Sequence, residues 1–284
     1  MKNKHFPKTI KGIIYDIVLV LTALIFIFPL IWMVVSSFKT EPTILSDLTS
    51  IKAFMLPKFS TNFFNNYSEV LKQLPIIKAE LNSLFYISII IVLSLLVNSL
   101  AGYAFARLDF PFKNVIFAIL LSLMIIPAQT IMLSVFSIVF KFGWINSYLG
   151  LIVPAIANPF YILLFRQTFL GIPREIEEAA RIDGAGSYTI FFRLVMPLAK
   201  PIYATVSILI FIGAWNDFLW PVMIISDPSK QTVQMALSTL FSLQPINHGN
   251  VMAGLTFVTI PVLIIFLCLQ KYYVQGIAGS GSKN

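Results

Sequence analysis

The sequence predicts an all-α, polytopic membrane protein with six transmembrane helices, on the evidence of its composition, its apolar runs and its basic residues. Of its 284 residues, 58% are hydrophobic and 11% are charged, whereas soluble globular domains contain about 45–50% apolar and about 25% charged residues. A soluble domain of this length has no core large enough to bury so much apolar surface. We therefore expect lipid to cover the excess.

Six apolar segments are long enough to cross a bilayer as helices. At about 1.5 Å rise per residue each can span a hydrocarbon core of roughly 30 Å, and a helix satisfies its own backbone hydrogen bonds there. The first is uncharged over residues 17–35 and no small-residue cleavage site follows it, so we interpret it as a retained span rather than a signal peptide. The six segments comprise residues 13–35, 81–106, 114–140, 148–165, 203–225 and 252–269.

The basic residues indicate the orientation of these spans. Six spans place both termini on one side, and the segments on that side hold 13 of the 20 Lys and Arg residues, against 7 on the other side. Positive charge collects on the cytoplasmic side, so we expect cytoplasmic termini in a prokaryotic inner membrane. The same scatter of basic residues, which form no single stripe, argues against a nucleic-acid partner.

Residues for catalysis, metal binding or nucleotide binding are missing from the sequence. Cys268 is the only cysteine, and His5 and His248 are far apart, so neither a disulfide nor a metal site is expected. The chain has no Gly-Lys dipeptide and hence no phosphate-binding GxxxxGK[ST] loop, and it has no HExxH motif. We expect neither enzyme activity nor a cofactor bound to this chain.

Residues 166–202 form the one long loop expected in the cytoplasm, and their pattern predicts a helix. Pro173 suits a first helical position, and acidic residues follow it where the helix dipole favours them. Arg181 lies four residues after Glu177, the favourable order for an ion pair on one helix face. Gly184 supplies a C-terminal stop.

A second short helix is expected directly after this stop, so the loop should form a helix–turn–helix elbow. Ser187 is its predicted N-cap and its end is expected near Pro197. Ala179 and Ala180 keep the first helix slim enough to enter a groove on another protein. The alternative is an amphipathic helix lying on lipid headgroups, which the neighbouring acidic residues disfavour because the inner leaflet is anionic.

The elbow resembles the EAA loop of permease subunits in ABC-type importers. That pattern is Glu-Ala-Ala, three residues, Gly, nine residues, Ile, one residue and Leu-Pro. This chain keeps the spacing but has Leu and Met where the family has Ile and Leu, and Asp183 and Ala185 match the version found in sugar importers. The matching residues are Glu178, Ala179, Ala180, Gly184, Leu194, Met196 and Pro197.

Other stretches resemble the smaller, maltose-type sugar permease subunit, in the same order along the chain. They cover most of the sequence from residue 82 onward, which makes the set more specific than the EAA triplet alone. These stretches are residues 82–84, 101–111 (AGYAFARLDFP), 142–154 (FGWINSYLGLIVP), 215–221 (WNDFLWP) and 270–283 (QKYYVQGIAGSGSK).

The resemblance implies a type I ABC importer permease fold and a set of partners. These are a second permease subunit forming a heterodimer, a cytoplasmic ATPase dimer that binds ATP and Mg²⁺, an extracytoplasmic sugar-binding protein, membrane lipid and the sugar. It implies three regions: residues 1–80 before the core, a permease core over 81–270, and a cytoplasmic tail over 271–284. It assigns ATPase coupling to Glu178, Ala179, Ala180, Asp183, Gly184 and Pro197.

Polar residues within the expected spans are candidates for the translocation pathway. Asp217 is the clearest ionisable one, and such a residue normally faces protein or a water-filled cavity. We expect it either to line the pathway or to support a kink before Pro221. Asn216 beside it could also line the pathway, but we expect neutral amides such as Asn98 and Asn158 to join helices more often than to bind sugar.

Other functions remain as alternatives. A secondary transporter driven by protons or sodium would need ionisable relays at mid-membrane, whereas Asp217 is nearly alone, and it would leave the elbow without a purpose. A membrane-embedded enzyme would need a catalytic constellation, and the sequence provides none. An ABC importer of amino acids, polyamines or phosphate esters would share the elbow but not the sugar-type motifs.

Overall fold

The computed structural model describes residues 10–243 and 245–281, and every regular element in that part of the chain is helical. Short 3₁₀ segments and one π-helical turn separate or extend the α-helices, and no β-strand occurs among the described residues. The predicted all-α class is confirmed. The α-helices are α1 (Ile10–Ser36), α2 (Glu41–Asp47), α3 (Asn65–Gln73), α4 (Ile76–Arg107), α5 (Lys113–Ser122), α6 (Ala128–Lys141), α7 (Tyr148–Ile152), α8 (Pro159–Leu170), α9 (Arg174–Ile182), α10 (Ser187–Ile190), α11 (Met196–Leu198), α12 (Lys200–Trp215), α13 (Leu219–Ile224), α14 (Val233–Ser242) and α15 (His248–Gly281).

Within the described residues, three helices are long and apolar enough to cross a membrane by themselves: Tyr15–Ser36 within α1, the whole of α4, and His248–Cys268 within α15. Three further apolar segments are pairs of helices joined by a sharp bend. Counting each pair as one span gives up to six spans, the number expected from the sequence. The pairs are Lys113–Ile125 with Ala128–Lys141 (105°), Tyr148–Ala155 with Pro159–Leu170 (44°) and Ser187–Leu198 with Lys200–Trp215 (79°).

Prolines set two of these bends. Proline disfavours the α-helical region for the residue before it. Ile126, which precedes Pro127, is extended with φ −81° and ψ 119°. Asn158, which precedes Pro159, is also extended, with φ −138° and ψ 120°. The helices therefore stop at these residues and restart in a new direction.

The fifth apolar segment differs from the expectation of one helix over residues 203–225. The helix α12 ends at Trp215, and the short α13 begins at Leu219. Pro221 has no N–H and its ring would clash with the carbonyl of Asp217, four residues earlier, which favours a break here, whereas α1 and α15 continue through Pro29 and Pro261. In α13 it occupies the first turn, where the backbone N–H groups need no partner within the helix.

The described chain forms two compact units, residues 10–76 with 237–259 and residues 77–236 with 260–281. In the first unit, the ammonium group of Lys39 is buried with 3% of the residue exposed. Its Nζ donates to Asp47 Oδ2 at 3.0 Å and to the backbone carbonyls of Lys52 and Ala53 at 2.6 and 3.3 Å. A buried charge is tolerated when it is paired and hydrogen-bonded in this way.

In the second unit, α4 and the α7–α8 segment pack closely and are joined by hydrogen bonds of a buried amide. At Gly102 an added Cβ would lie 2.6 Å from Phe165 Cβ, so only a small residue permits this approach of α4 to α8. The buried Asn98 amide donates to the Ile156 carbonyl at 2.8 Å and accepts from the Asn158 N–H at 2.9 Å. Asn98 therefore joins helices, as expected for a neutral amide within the membrane.

We expect Asn98→Ala to destabilise the second unit. The substitution leaves a carbonyl and an N–H of the α7–α8 break without partners, at a cost of about 1–3 kcal/mol per unpaired group. The melting temperature of the purified protein in detergent should fall clearly. Ser88→Ala on the same helix is the matched control, because exposed Ser88 bonds only to the carbonyl of Leu84 within α4. Equal melting temperatures for both variants would contradict the role given to Asn98.

Candidate functional site

The elbow (residues 173–198) is held to the end of α4 by a buried ion pair. Arg107 Nε lies 2.6 Å from Glu177 Oε1, with side-chain exposures of 4% and 6%. Tyr103 OH donates to Glu177 Oε2 at 3.0 Å, and Arg107 Nη2 donates to the Ile172 carbonyl just before α9. The first helix of the elbow is thus fixed by charge and by hydrogen bonds to one turn of α4.

The sequence interpretation of Glu177 was wrong about its partner. It was expected to pair with Arg181 on its own helix, but in the structure it turns inward to Arg107. A buried carboxylate needs an opposite charge and further donors, and α4 supplies both through Arg107 and Tyr103. One indication of this contact was present in the sequence: Tyr103 and Arg107 both lie in the 101–111 motif that resembles sugar permeases.

The first helix of the elbow, α9, ends at Ile182, and Gly184 two residues later provides the predicted C-terminal stop. Gly184 has φ +83°, the left-handed conformation that glycine adopts at little steric cost. Its N–H donates to the Arg181 carbonyl at 3.0 Å, and the Ala185 N–H donates to the Ala180 carbonyl at 2.9 Å, which together form a Schellman motif. The start differs by one residue from the expectation: Pro173 is the N-cap and not the first helical residue.

The second leg of the elbow, residues 187–198, also starts one residue away from its predicted cap. Gly186 is the N-cap and Ser187 is the first residue of α10, so no side chain caps this helix. A π-helical turn and α11 continue the leg to Leu198, close to the predicted end. Its inner side is buried at Ile190 and Phe191, and the Phe191 ring lies 5.1 Å from that of Tyr103.

The predicted coupling residues lie on the outer surface of the elbow. Glu178, Ala179, Asp183, Gly184 and Pro197 are exposed, and Ala180 is half-buried. The sequence interpretation missed two large apolar residues on the same surface, Ile182, which is 87% exposed, and Tyr188, which is 80% exposed. In the sequence, these two residues could have been identified by their size and apolarity within an otherwise polar segment. Exposed apolar groups of this kind mark a surface for another protein or for lipid.

A second candidate region is a cavity of about 460 Å³ between helices of the second unit. Of the two predicted pathway residues, Asp217 lines this cavity, whereas exposed Asn216 does not and bonds instead to the Ile212 carbonyl of its own helix at 2.9 Å. No Lys, Arg or His is among the described residues around the cavity. The lining consists of Tyr86, Ile90, Ala128, Leu151, Ala155, Asn158, Tyr161, Ile210, Gly213, Ala214, Asp217, Trp220 and Pro221.

Asp217 both lines the cavity and supports the break between α12 and α13. Its Oδ1 accepts from the Trp220 backbone N–H at 3.3 Å, within the first turn of α13. The Trp220 indole donates to the Gly150 carbonyl at 3.0 Å, and Tyr86 OH donates to the Ala214 carbonyl at 3.1 Å. These bonds hold two aromatic side chains at the cavity wall. The two roles left open for Asp217 are therefore compatible in one geometry.

We expect Arg107→Gln to loosen the elbow. Removing one partner of a buried ion pair leaves an uncompensated charge and costs about 3–5 kcal/mol. Proteolytic cleavage within residues 173–198 of the purified protein should become faster. Lys113→Gln is the matched control, since Lys113 pairs at 3.7 Å with Asp109, which is fully exposed, and such pairs contribute little. Equal cleavage rates for the two variants would show that the ion pair does not hold the elbow.

Comparison with known proteins gives the family. Residues 98–279, which include the elbow and the cavity lining from Ala128 to Pro221, match the family described as "Binding-protein-dependent transport system inner membrane component". The chain is 33% identical over 284 residues to the arabinooligosaccharides transport system permease protein AraQ of Halalkalibacterium halodurans, covering 100% of both. It is 33% identical over 202 residues to the sn-glycerol-3-phosphate transport system permease protein UgpE of Yersinia pestis, covering 70% of this chain and 72% of UgpE.

A solved structure agrees with these sequence matches. A chain of a bacterial ABC transporter involved in the import of the acidic polysaccharide alginate superposes with a TM-score of 0.79 and 27% sequence identity. The match covers 93% of this chain and 96% of that one. The fold is thus that of a type I ABC importer permease. The chain belongs to the family of binding-protein-dependent transport system inner membrane components, as a multi-pass membrane permease and not an enzyme.

Proposed function

We propose that this chain is one of two permease subunits of an ATP-driven sugar importer, coupled through its elbow to a separate ATPase. The observation that carries the proposal is the elbow itself. Its outer surface is exposed, while its inner side is fixed to α4 by the buried pair of Arg107 and Glu177. A surface element that is rigidly attached to a long apolar helix is suited to transmit movement into the membrane.

In the proposed mechanism the ATPase binds the first helix of the elbow in a cleft. Exposed Glu178, Ala179 and Ile182 are available to enter a cleft, with small side chains allowing close approach and Ile182 providing apolar area. When nucleotide binding moves the cleft, α9 pulls on α4 through Arg107. The second leg runs on through Leu198 into α12, which ends beside the Asp217 cavity, and so carries the same movement to the cavity wall.

The proposed substrate class is a neutral saccharide. The similarity to AraQ supports a saccharide, and so does the similarity to the alginate importer chain, although alginate is an acidic polysaccharide. The similarity to UgpE favours a phosphate ester as a second candidate. The cavity supports the neutral saccharide, because it holds the carboxylate of Asp217 and no described basic side chain, which disfavours an anionic cargo. The amide group of Asn158 and the phenol group of Tyr161 in the cavity can form hydrogen bonds with the hydroxyl groups of a sugar.

The remaining parts of the proposal concern orientation and partners. The excess of basic residues on one side supports cytoplasmic termini and a cytoplasmic elbow. ATP and Mg²⁺ would then be bound by a cytoplasmic ATPase dimer, and an extracytoplasmic sugar-binding protein would deliver cargo to a heterodimer of this chain with a second permease. We retain the division into a segment over residues 1–80, a core over 81–270 and a tail over 271–284 as part of this proposal.

Two variants of the elbow test the coupling. Glu178→Lys reverses an exposed charge at the proposed ATPase contact, and Gly184→Val forces a β-branched residue into the left-handed conformation at φ +83°. Neither changes a span, so both proteins should insert normally. We expect each to lose most of the ATPase that co-purifies with the wild-type complex and to lose sugar uptake in the same cells.

Matched controls separate coupling from general damage. Asp109→Lys makes the same charge change at an exposed site outside the elbow. Gly186→Val adds valine within the elbow at φ −73° and ψ 162°, which valine adopts freely. Both controls should retain the ATPase. Wild-type ATPase recovery and uptake for Glu178→Lys and Gly184→Val would instead indicate an elbow that only lies on lipid.

The substrate class is tested with the complex reconstituted in liposomes together with its binding protein. We expect a neutral arabino-oligosaccharide to stimulate ATP hydrolysis and sn-glycerol 3-phosphate to have no effect. In an Asp217→Asn variant, which removes the charge but keeps the shape, the discrimination against the phosphate ester should weaken. Stronger stimulation by sn-glycerol 3-phosphate than by the oligosaccharide would contradict the neutral-saccharide proposal.

A further inference from the structure

A cavity of about 530 Å³ in the second unit lies between the turn that joins α4 to α5 and the end of α8. We refer to it as the basic pocket. Among the described residues, its lining includes three basic side chains, Lys113, Arg166 and Arg174, and a single carboxylate, that of Asp109. Most of the remaining wall is aromatic or aliphatic. Positive charge beside apolar side chains is suited to an anionic ligand that also has an apolar part.

Arg166 is half-buried in the wall of the basic pocket, with part of its guanidinium group free. Its Nε donates to the Phe105 carbonyl at 3.3 Å, and the guanidinium carbon lies 4.4 Å from the centre of the Phe117 ring. The two terminal amino groups have no hydrogen-bond or ion-pair partner in the part of the chain that the structure describes. A guanidinium group that is held in place with free N–H groups can form parallel hydrogen bonds to a phosphate.

The other two basic residues carry charge that neighbouring carboxylates neutralise only weakly. Lys113 Nζ lies 3.7 Å from Asp109 Oδ1, on a side chain that is fully exposed. Exposed Arg174 forms no ion pair with a described residue, although Glu178 lies one helical turn further along α9. Exposed ion pairs contribute little, so the basic pocket keeps a net positive charge.

The start of α5 adds backbone donors to the same wall. The helix begins at Lys113, and Asn114 and Val115 in its first turn line the basic pocket. The N–H groups of a first helical turn have no acceptor within the helix. Phe112, the N-cap residue, provides no side-chain acceptor for them. Free N–H groups and the helix dipole favour a bound anion, and phosphate groups bind at such helix starts.

The basic pocket lies where two apolar segments reach the boundary of the membrane. Lys113 is the last charged residue before the third apolar segment, and Arg166 is the first charged residue after the fourth. From the pocket, α5 continues with side chains that are more than half exposed at Val115 and Ile119, which lie one turn apart on the same helix face. A ligand at this place therefore meets cations at the boundary and an apolar helix face beyond it.

We propose that the basic pocket binds the headgroup phosphate of an anionic phospholipid, whose acyl chains lie along Val115 and Ile119 of α5. Cations followed by an apolar face match such an amphiphile, whereas a free phosphate would use only the cations. A lipid is favoured over a carboxylate of a partner subunit because the cations lie at the depth of the headgroup phosphates. In the orientation proposed above, this is the cytoplasmic leaflet, whose lipids are anionic.

Lipid binding at this place would involve the elbow, because Arg174 is the first residue of α9. The bound lipid would join α5 and α8 to the start of the helix whose outer surface is proposed to contact the ATPase. The charge of the membrane would then affect coupling. This consequence rests on the proposed function, whereas the lipid site itself does not.

Fluorescence quenching of the assembled complex in lipid nanodiscs tests the site. In a Cys268→Ser background with cysteine-free partner subunits, a fluorophore is attached at Ile119→Cys, which does not line the basic pocket. The quenchers are phosphatidylglycerol and phosphatidylcholine brominated on their acyl chains. We expect the relative affinity to favour phosphatidylglycerol by about tenfold, and Arg174→Gln should lower this ratio about fivefold. Arg174 has no bond to a described residue, so the variant should fold normally.

Two matched variants show whether the pocket itself selects the lipid. Arg193→Gln removes an exposed arginine of the elbow that does not line the basic pocket, and it should leave the relative affinity unchanged. Asp109→Asn removes the carboxylate from the lining and should not lower the relative affinity. Equal quenching by the two lipids, or an equal loss for Arg193→Gln and Arg174→Gln, would contradict an anionic-lipid site.

Two further results would overturn the proposal. Weak quenching by both lipids would mean that a partner subunit covers this face of α5. A preference for phosphatidylglycerol that disappears in excess inorganic phosphate would mean that the pocket holds a soluble anion instead of a lipid. The quenching depends neither on the cargo nor on ATP hydrolysis, so the lipid site holds or fails independently of the proposed function.

Discussion

The ion pair between Arg107 and Glu177 is the interaction on which the attachment of the elbow to α4 depends. Both side chains are almost fully buried, and each is costly to bury alone, so α4 and α9 are stable only while they stay together. Tyr103 donates a hydrogen bond to the second carboxylate oxygen of Glu177, and Arg107 also donates to the Ile172 carbonyl before α9. Because every partner belongs either to one turn of α4 or to the start of the elbow, the contact has little freedom to rotate.

Polar groups in a membrane need hydrogen-bond partners within the protein. This requirement explains how the broken helices are stabilised. Each proline break frees backbone groups that a membrane does not solvate. Side chains compensate: Asn98 binds both the Ile156 carbonyl and the Asn158 N–H, and Asp217 accepts the Trp220 N–H. The breaks are thereby stable, and they open space beside Asp217 for the cavity. The candidate pathway residue Asp217 lies at such an interruption, between α12 and α13.

Lys39, three residues after α1, shows the same principle in the first unit. Lys39 is a charged residue at 3% exposure, yet it serves as a donor for two carbonyls and as the partner of Asp47. The segment over residues 36–80 contains five Lys residues in the sequence. The structure assigns one of them, Lys39, to the interior and leaves the apolar side chains outside. Charge counted along the chain cannot distinguish a lysine in water from one that fixes a buried turn.

Composition and local pattern were sufficient to predict the all-α membrane class, the number of apolar segments and the first helix of the elbow with its stop at Gly184. These features depend on hydrophobicity, on helix period and on the conformational freedom of one glycine, all of which are local properties. The partner of Glu177, the end of α12 at Trp215 and the separation of Asp217 from Asn216 at the cavity were decided only by tertiary structure. The partner of Glu177 depends on Arg107, which is distant in sequence, and the cavity beside Asp217 depends on how separate helices pack. Both are set by burial, which the order of residues does not reveal.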